Sequence, residues 1–398
     1  MAVEECSSAT KNQAGTLVLL VAGLTAASAA VNGLGRFAYA LVLPAMRADL
    51  HWSYATAGLL NTVNALGYLA GALLAAPVAA RLGQRRALLI ALVVSAVAVL
   101  AAAATNLVPV LLVLRLTSGI AGAVAFIAGG ALTAAITADL PPRRAALCLG
   151  LYFTGPGIGI AVSGVAVPPV VSAYGWQLAW VMLGVLCLAG LVLTVLAARQ
   201  LPAAVASNRA RGRMPFRPLV SLLVAYGIYG AGYTAYMTFV IAFITAAGAR
   251  PPTITAFWLV LGLCGVGLSV AASPLLGRLR GRYAAALTLG FTTIGAALLV
   301  VVPGPLAWFA SAVLFGGAFL SVVTAVTGCA QLVLPPSHWG RAIAGLTIAF
   351  AFGQCCGPLL AGLLSDRAGG VPAGLAIGAV LLAVSTVAAL THRTATYE

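Results

Sequence analysis

Residues 31–46 read VNGLGRFAYALVLPAM and lie inside an apolar stretch of 30 residues, Leu17–Met46, whose only ionisable side chains are Arg36 and Tyr39. A stretch of this length and composition predicts a helix that crosses a membrane. A guanidinium at membrane depth costs about 2.5–3.5 kcal/mol on insertion scales, so such a residue usually faces water or a partner. Arg36 is therefore the first candidate for a functional side chain.

A second copy of this stretch follows 197 positions later in the sequence. Residues 32–39 read NGLGRFAY and residues 229–236 read YGAGYTAY, with Arg36 opposite Tyr233. Further along, an offset of 202 aligns the Gly-Pro pair at 155–156 with the Gly-Pro pair at 357–358. The chain is therefore predicted to consist of two related halves that differ at the position of the charge.

The composition is that of a membrane protein. Hydrophobic residues make up 62% and charged residues 7% of the 398 residues, and the mean hydropathy is +1.10. A soluble domain is about one quarter charged, so we predict an all-α polytopic membrane protein. The first apolar stretch is too long for the core of a signal peptide and lacks a cleavage site, so we expect it to be retained.

The net charge of +15 reflects the distribution of arginines among the loops. With the N-terminus inside, the cytoplasmic loops and tails hold 16 of the 21 basic residues and the opposite side holds 3. This bias follows the positive-inside rule and predicts cytoplasmic N- and C-termini. The bias reports the orientation of the chain in a bacterial inner membrane and does not indicate binding to nucleic acid. We therefore expect the lipid bilayer, and no nucleic acid, as a partner.

Each membrane span needs about 20 apolar residues, and turns and charges divide the chain into twelve predicted spans. They are residues 17–46, 54–80, 87–104, 109–138, 145–170, 176–197, 218–247, 254–277, 284–302, 306–334, 342–365 and 373–391. The basic, proline-containing stretch 198–217 lies at the midpoint and is interpreted as a cytoplasmic linker. It separates an N-terminal half, residues 1–197, from a C-terminal half, residues 218–398, with six helices each.

Four segments resemble motifs of the major facilitator superfamily (MFS). They are RLGQRR at 81–86, RLTSGIAG at 115–122, GPGIG at 155–159 and the second Gly-Pro pair at 357–358. The first match is partial, because Ala80 stands where the family usually has Asp. Residues 35–46, 61–68 and 353–358 resemble the YbfB/YjiJ-type branch. The resemblance implies the MFS fold, a central cavity between two six-helix halves, and secondary transport by alternating access.

Arg36 and Arg115 are the only Lys or Arg residues inside predicted spans, and no Asp or Glu lies inside one. A positive, uncompensated field favours an anion, and the arginine fork binds carboxylate or phosphate with two parallel hydrogen bonds. We therefore predict a small organic anion as the substrate. The alternative for either residue is that carbonyls and hydroxyls satisfy it and it only fixes helix geometry.

Two polar stripes are predicted to face each other across the cavity. Asn32, Arg36 and Tyr39 share one face of a regular helix, and four tyrosines share a face of the seventh span. Aromatic stripes are often core packing, but tyrosine hydroxyls in lipid need partners, which favours a wet cavity. The predicted cavity residues are Asn32, Arg36, Tyr39, Asn61, Asn64, Arg115, Tyr152, Tyr229, Tyr233, Tyr236 and Gln354, with Tyr226 completing the stripe.

Two further groups of residues are predicted to take part in the conformational change, as a gate and as hinges or packing seams. When the protein faces outward, Arg81, Arg85 or Arg86 is expected to pair with Asp139 as a cytoplasmic gate, each exposed pair being worth about 0–1 kcal/mol. The alternative is a solvated loop that only sets orientation. The hinge or packing seams are predicted at Gly155-Pro156 and Gly357-Pro358, since proline removes a hydrogen bond and glycine allows close approach.

The sequence offers no P-loop, nucleophile–base pair or metal-ligand cluster, so we expect neither an enzyme nor a cofactor or metal. The cysteines are interpreted as apolar packing residues. We expect a monomer that binds a small-molecule substrate. Two alternatives stay open: an exporter of neutral or cationic amphiphiles, and a membrane scaffold without transport. The coupling ion is left open as well, because no acid lies inside a span.

Overall fold

The computed structural model describes residues 2–199, 217–279, 282–335 and 338–392, and these residues form helices without any strand. The helices are α1 (Ala2–Ser28), α2 (Tyr39–Asp49), α3 (Tyr54–Leu82), α4 (Gln84–Ala101), α5 (Val108–Ile136), α6 (Pro142–Ala198), α7 (Val220–Ala246), α8 (Pro251–Arg278), α9 (Arg282–Val301), α10 (Pro305–Val333), α11 (Trp339–Ser365) and α12 (Gly370–Leu390). Most of the predicted linker, residues 200–216, lies outside the described residues.

Within the described part of the chain, eleven helical segments are long and apolar enough to cross a membrane. At 1.5 Å per residue, the 29 residues of α3 extend about 40 Å, which exceeds the hydrocarbon core of a bilayer. Several predicted spans coincide closely with observed helices, for example 109–138 with Val108–Ile136 and 306–334 with Pro305–Val333. The chain is therefore an all-helical, multi-pass membrane protein.

The first span is not the uniform α-helix that the sequence predicted. Residues Ala29–Phe37 form a π-helix between α1 and α2, and the amide of Ala38 closes it by donating to the carbonyl of Gly33 at 3.0 Å. A Cβ added to Gly33 would lie 2.3 Å from the Cα of Gly159 on α6. The chain can therefore bring these two backbones into contact only because both positions are glycine.

The predicted break between residues 170 and 176 is present as a sharp kink, because α6 consists of two helices that meet at Gly175. The φ of Gly175 is 85°, outside the helical region, and this residue separates residues 142–174 from residues 176–198. Trp176 follows directly and donates its indole N–H to Asp49 at 2.7 Å, which fixes the second part of α6 to the end of α2.

The N-terminal helices α1–α6 contact the C-terminal helices α7–α12 mainly where α3 packs on α11, α6 on α8, and α2 on α7. We call the end at which α2 ends and α3 begins the distal end, and the end at which α3 and α5 end the proximal end. The closest approaches between the two sets lie toward the distal end, where a Cβ added to Gly58 would lie 2.3 Å from Pro358 and one added to Gly362 would lie 2.4 Å from Tyr54. Of the residues that the sequence selected, Arg36 and Asn61 donate hydrogen bonds across this contact, to Gln354 and Thr238.

Candidate functional site

The π-helix carries Arg36 near its end, one residue before Phe37. π-helical segments inside α-helices are rare and are frequently found at functional sites. The wider turn changes the predicted face, because Asn32 and Arg36 are no longer separated by a regular α-helical step. Asn32 is buried, and its Nδ2 has no hydrogen-bond partner among the described residues.

Arg36 lies between the two sets of helices and is 6% exposed. Its Nη2 donates to Oε1 of Gln354 on α11 at 2.9 Å. Its Cζ lies 4.6 Å from the ring centre of Tyr68 and 5.8 Å from that of Phe37. A guanidinium has five N–H donors, so one recorded hydrogen bond leaves most of the fork for water or a ligand.

Arg115 on α5 is held more completely than Arg36 and is 2% exposed. Its Nη1 donates to the carbonyl of Gly35 at 2.9 Å and its Nη2 to Oδ1 of Asn61 at 3.2 Å. The guanidinium lies over Tyr39, at 4.9 Å, and near Trp180, at 5.9 Å. Arg115 therefore ties α5 to the π-helix and to α3.

A short polar chain continues from Arg115 to the C-terminal helices. Asn61 accepts from Arg115 through Oδ1 and donates through Nδ2 to Oγ1 of Thr238 on α7 at 2.6 Å. Asn64, one turn further along α3, donates to the carbonyl of Arg115 at 3.0 Å. Both predicted asparagines thus contact Arg115, and Asn61 also links α3 to α7.

The tyrosines of α7 form a stacked column rather than four separate contacts. Tyr226 and Tyr229 stack at 5.9 Å, Tyr229 and Tyr233 at 5.6 Å, and Phe350 of α11 stacks on Tyr226 at 4.7 Å. Tyr233 meets Phe37 edge-on at 6.2 Å. The column therefore reaches the immediate neighbour of Arg36.

Two of these tyrosines use their hydroxyls inside the C-terminal helices. Tyr229 donates to the carbonyl of Phe319 at 3.1 Å, and Tyr236 shares a hydrogen bond of 2.8 Å with Ser311. Among the described residues, no hydrogen-bond partner is recorded for the hydroxyl of Tyr233, which lies at the end of the column near Arg36. Tyr233 is thus the column residue best placed to meet a ligand at Arg36.

The other predicted residues lie apart from Arg36. Tyr39 donates to the carbonyl of Ala57 at 2.9 Å and stacks on Trp180. Tyr152 is fully buried beside Phe126, to whose carbonyl its hydroxyl donates. The predicted seams pack closely: a Cβ on Gly155 would lie 2.6 Å from Ser28 and one on Gly357 2.1 Å from the carbonyl of Ala231. Pro156 and Pro358 lie inside α6 and α11.

The predicted gate residues do not pair in this structure. In the described part of the chain, Asp139 makes no ion pair with Arg81, Arg85 or Arg86. The pairing was predicted for a state that faces outward, whereas here the close contacts between the two sets of helices lie toward the distal end. The gate assignment stays a prediction.

Sequence reasoning missed Tyr68, Phe37 and Phe350. Tyr68 lies four residues after Asn64 and seven after Asn61, so the helical spacing that selected those asparagines contained the signal. Phe350 lies one turn before Gln354 on α11 and was overlooked because apolar aromatics in a membrane helix have no distinguishing pattern. Both become visible only when α3 and α11 are placed against the π-helix.

A cleft of about 840 Å³ lies away from these residues, at the distal ends of α7, α8 and α10. Phe243, Arg250 and Trp308 are among its lining residues. Arg250 is exposed there, whereas Arg36 is almost enclosed. None of the residues that the sequence selected for the cavity lines this cleft.

The sequence profile of a family described as "Uncharacterised MFS-type transporter YbfB" matches residues 26–390. A gallate transporter of Pseudomonas putida is 33% identical over 174 residues, a match that covers 41% of this chain and only 37% of that protein.

Two solved structures share the fold over nearly the whole chain. A nucleoside transporter, NupG, is similar with a TM-score of 0.76 and 12% identity, covering 94% of this chain and 99% of that one. A bacterial homolog of the human lysosomal transporter Spinster, in an inward-facing and unoccupied conformation, is similar with a TM-score of 0.73 and 14% identity, covering 97% and 98%.

Proposed function

The chain belongs to the YbfB-type family of MFS transporters, and from that membership we propose that it carries a small organic anion through alternating access. The family and the relatives named above are transporters rather than enzymes. Arg36 carries the proposal, because it is an almost enclosed guanidinium with one neutral hydrogen-bond partner and contacts to both sets of helices. Such a group binds a carboxylate in a bidentate way and gains strength from the low local dielectric.

The surroundings of Arg36 favour an aromatic carboxylate within that class. Phe37, Tyr68 and the column ending at Tyr233 offer aromatic faces, and the unpartnered hydroxyl of Tyr233 offers a donor and an acceptor for ring substituents. Gallate, which names one relative, is an aromatic carboxylate. The neutral partner Gln354 would be displaced from Arg36 when the carboxylate binds.

The architecture that accompanies this function has twelve spans in two halves, residues 1–197 and 218–398, joined by the linker 198–217. Gly175 supports it by dividing α6 into two pieces, each long enough to span. The distal contacts between the halves fit a state that is open toward the proximal, cytoplasmic end. We place the protein as a monomer in the bacterial inner membrane with both termini in the cytoplasm.

The test is a ligand-dependent thermal-shift measurement on the purified full chain. The probes are gallate, its neutral amide and a lipophilic cation, measured with the parent protein, Arg36→Gln and the matched control Arg250→Gln. A ligand that binds only the folded state raises its apparent stability by mass action, about 2.7 kcal/mol at 100 times Kd. We expect stabilisation by gallate alone, lost in Arg36→Gln and kept in Arg250→Gln.

Three results contradict the proposal in different ways. Stabilisation by the cation or the neutral amide, unaffected by Arg36→Gln, indicates an exporter of amphiphiles. Loss of stabilisation in Arg250→Gln but not in Arg36→Gln moves the site to the distal cleft. Gallate uptake by Arg36→Gln vesicles at the rate of the parent excludes Arg36 from the transport site.

A further inference from the structure

The distal end of the contact between α3 and α11 is closed by one carboxylate. Asp366, directly after α11, accepts hydrogen bonds from the backbone amides of Tyr54 at 2.7 Å and Ala55 at 2.8 Å. These amides open α3, and the first four amides of a helix have no partner within it. The side-chain oxygen of Ser53 accepts a hydrogen bond from a third amide, that of Thr56, at 3.0 Å. Asp366 thus completes the cap of a helix that lies more than 300 residues away in sequence.

The charge of Asp366 matches its position. The N-terminus of a helix carries a partial positive charge that favours an anion within its first turn, and hydrogen bonds to an ionised acceptor are about twice as strong as neutral ones. Arg47 adds a positive group nearby, with its Cζ 3.8 Å from the ring centre of Tyr54. The neighbouring Arg367 is exposed, and its side chain makes no hydrogen bond or ion pair among the described residues.

Below Asp366, α3 and α11 touch through their backbones. A Cβ added to Gly362 would lie 2.4 Å from the carbonyl oxygen of Tyr54, and one added to Gly58 would lie 2.3 Å from that of Pro358. Because a Cβ is fixed to the backbone and these carbonyl oxygens are backbone atoms, such a clash cannot be relieved by rotating a side chain. The distal contact therefore depends on glycine at both crossings and on Asp366 above them.

The contacts of α11 with the N-terminal helices continue from Asp366 to Arg36. Gln354, Pro358, Gly362 and Asp366 follow at steps of four residues, so neighbouring members are about one turn apart and the row winds gradually around the helix. Gln354 accepts the hydrogen bond from Arg36 at the central end of this row. A change at Arg36 and a change at the distal contact thus act on the same helix.

We propose that Asp366 is a gating residue whose carboxylate holds α3 and α11 together and keeps the distal side closed. Opening toward that side requires the two hydrogen bonds to Tyr54 and Ala55 to break. A substrate carboxylate that takes Arg36 from Gln354 loosens the central end of the same row. The inference rests on the alternating access proposed above, although the contact itself is independent of the substrate.

The test is amide hydrogen–deuterium exchange of the full chain in detergent micelles, followed by mass spectrometry. Asp366→Asn keeps the size of the side chain but removes the charge and one of the two acceptors, whereas Arg367→Gln is the matched control at the next residue. We expect exchange in residues 54–60 and 358–366 to rise by about tenfold or more in Asp366→Asn. The control should exchange at the rate of the parent.

A second variant, Gly362→Ala, leaves the carboxylate in place and separates the two backbones sterically. It should raise exchange in the same two segments, since it disrupts the same contact by another route. The proposal is overturned if Asp366→Asn exchanges like the parent. It is also overturned if only the amides of Tyr54 and Ala55 change, because the carboxylate would then be a helix cap without a gating role.

The proximal ends report separately on alternating access. If opening at the distal end closes the other side, residues 78–82 and 342–346 should become more protected in Asp366→Asn. If the distal end opens without this protection, the result supports Asp366 as the gating residue and contradicts the alternating access in the proposed function. A failure of the gating proposal and a failure of alternating access therefore give different exchange patterns in the same experiment.

Discussion

Replacing Arg115 by lysine should destabilise the protein more than the same replacement at Arg36. Arg115 donates from two different nitrogens to two acceptors, the carbonyl of Gly35 at 2.9 Å and Oδ1 of Asn61 at 3.2 Å. A lysine ammonium is a point donor that cannot reproduce the planar fork. One acceptor is then left buried and unpaired, and losing a hydrogen bond to a charged group costs about 1.5–3 kcal/mol.

Comparing Arg115→Lys with Arg36→Lys separates the effect of hydrogen-bond geometry from the effect of charge, because both variants keep the positive charge. Arg36 makes one recorded hydrogen bond, to Gln354, and lies over the ring of Tyr68. A lysine can keep a single hydrogen bond and a cation–π contact. We therefore expect Arg36→Lys to lower the free energy of unfolding by less than about 1 kcal/mol.

The assay is chemical or thermal unfolding of parent, Arg115→Lys and Arg36→Lys in the same detergent. The expected order of stability is parent, then Arg36→Lys, then Arg115→Lys. Equal losses, or a larger loss for Arg36→Lys, would refute the assignment of Arg115 to structure and of Arg36 to the ligand. Asn61→Ala should lower the stability as Arg115→Lys does, since it removes an acceptor of the same guanidinium.

Two further predictions concern stability. Burial, followed by the nearby charge of Arg282, lowers the pKa of His392, whose Nδ1 bonds to Ser221 at 2.9 Å. The folded state thus prefers neutral His392, so its contribution is complete above the unfolded pKa of about 6.5 and is lost as pH falls below it. The thermal midpoint should fall from pH 7.5 to 5.5 in the parent and less in His392→Asn; an equal fall in both contradicts this. Gly33→Ala should cost about 1–3 kcal/mol or prevent folding, because its Cβ meets the backbone of Gly159. The control Gly267→Ala has open space and should be neutral or stabilising, and equal stability of the two variants would refute the backbone contact.

The sequence predicted most helix positions, because these are set by the lengths of the apolar stretches and by the turn and charged residues between them. Val108–Ile136 and Pro305–Val333 agree with the predicted spans within two residues. The π-helix could not be predicted, since it differs from an α-helix by one residue per turn and depends on packing such as that of Gly33 on Gly159. The break between the fifth and sixth spans was predicted, but its tight form was not, because a single residue, Gly175, makes the turn.

For the candidate site, sequence identified the charges but not their partners. Arg36 and Arg115 were selected because membrane-embedded cations are costly, a rule that needs no structure. Gln354 was among the predicted cavity residues, but its hydrogen bond to Arg36 was not predicted, because it joins residues 318 positions apart. Asp366 was not selected, because nothing in the local sequence shows that it caps α3.

The two arginines bear on how the membrane voltage acts on the cycle. The six acids of the chain lie in its tails or at helix ends, so the guanidiniums of Arg36 and Arg115 are two positive charges within the electric field that no acid inside a predicted span balances. In the proposed transport cycle, a bound monoanion cancels one of the two. The potential contributes about 2.3 kcal/mol per elementary charge per 100 mV, so we expect it to act more strongly on the return of the empty carrier than on the loaded step.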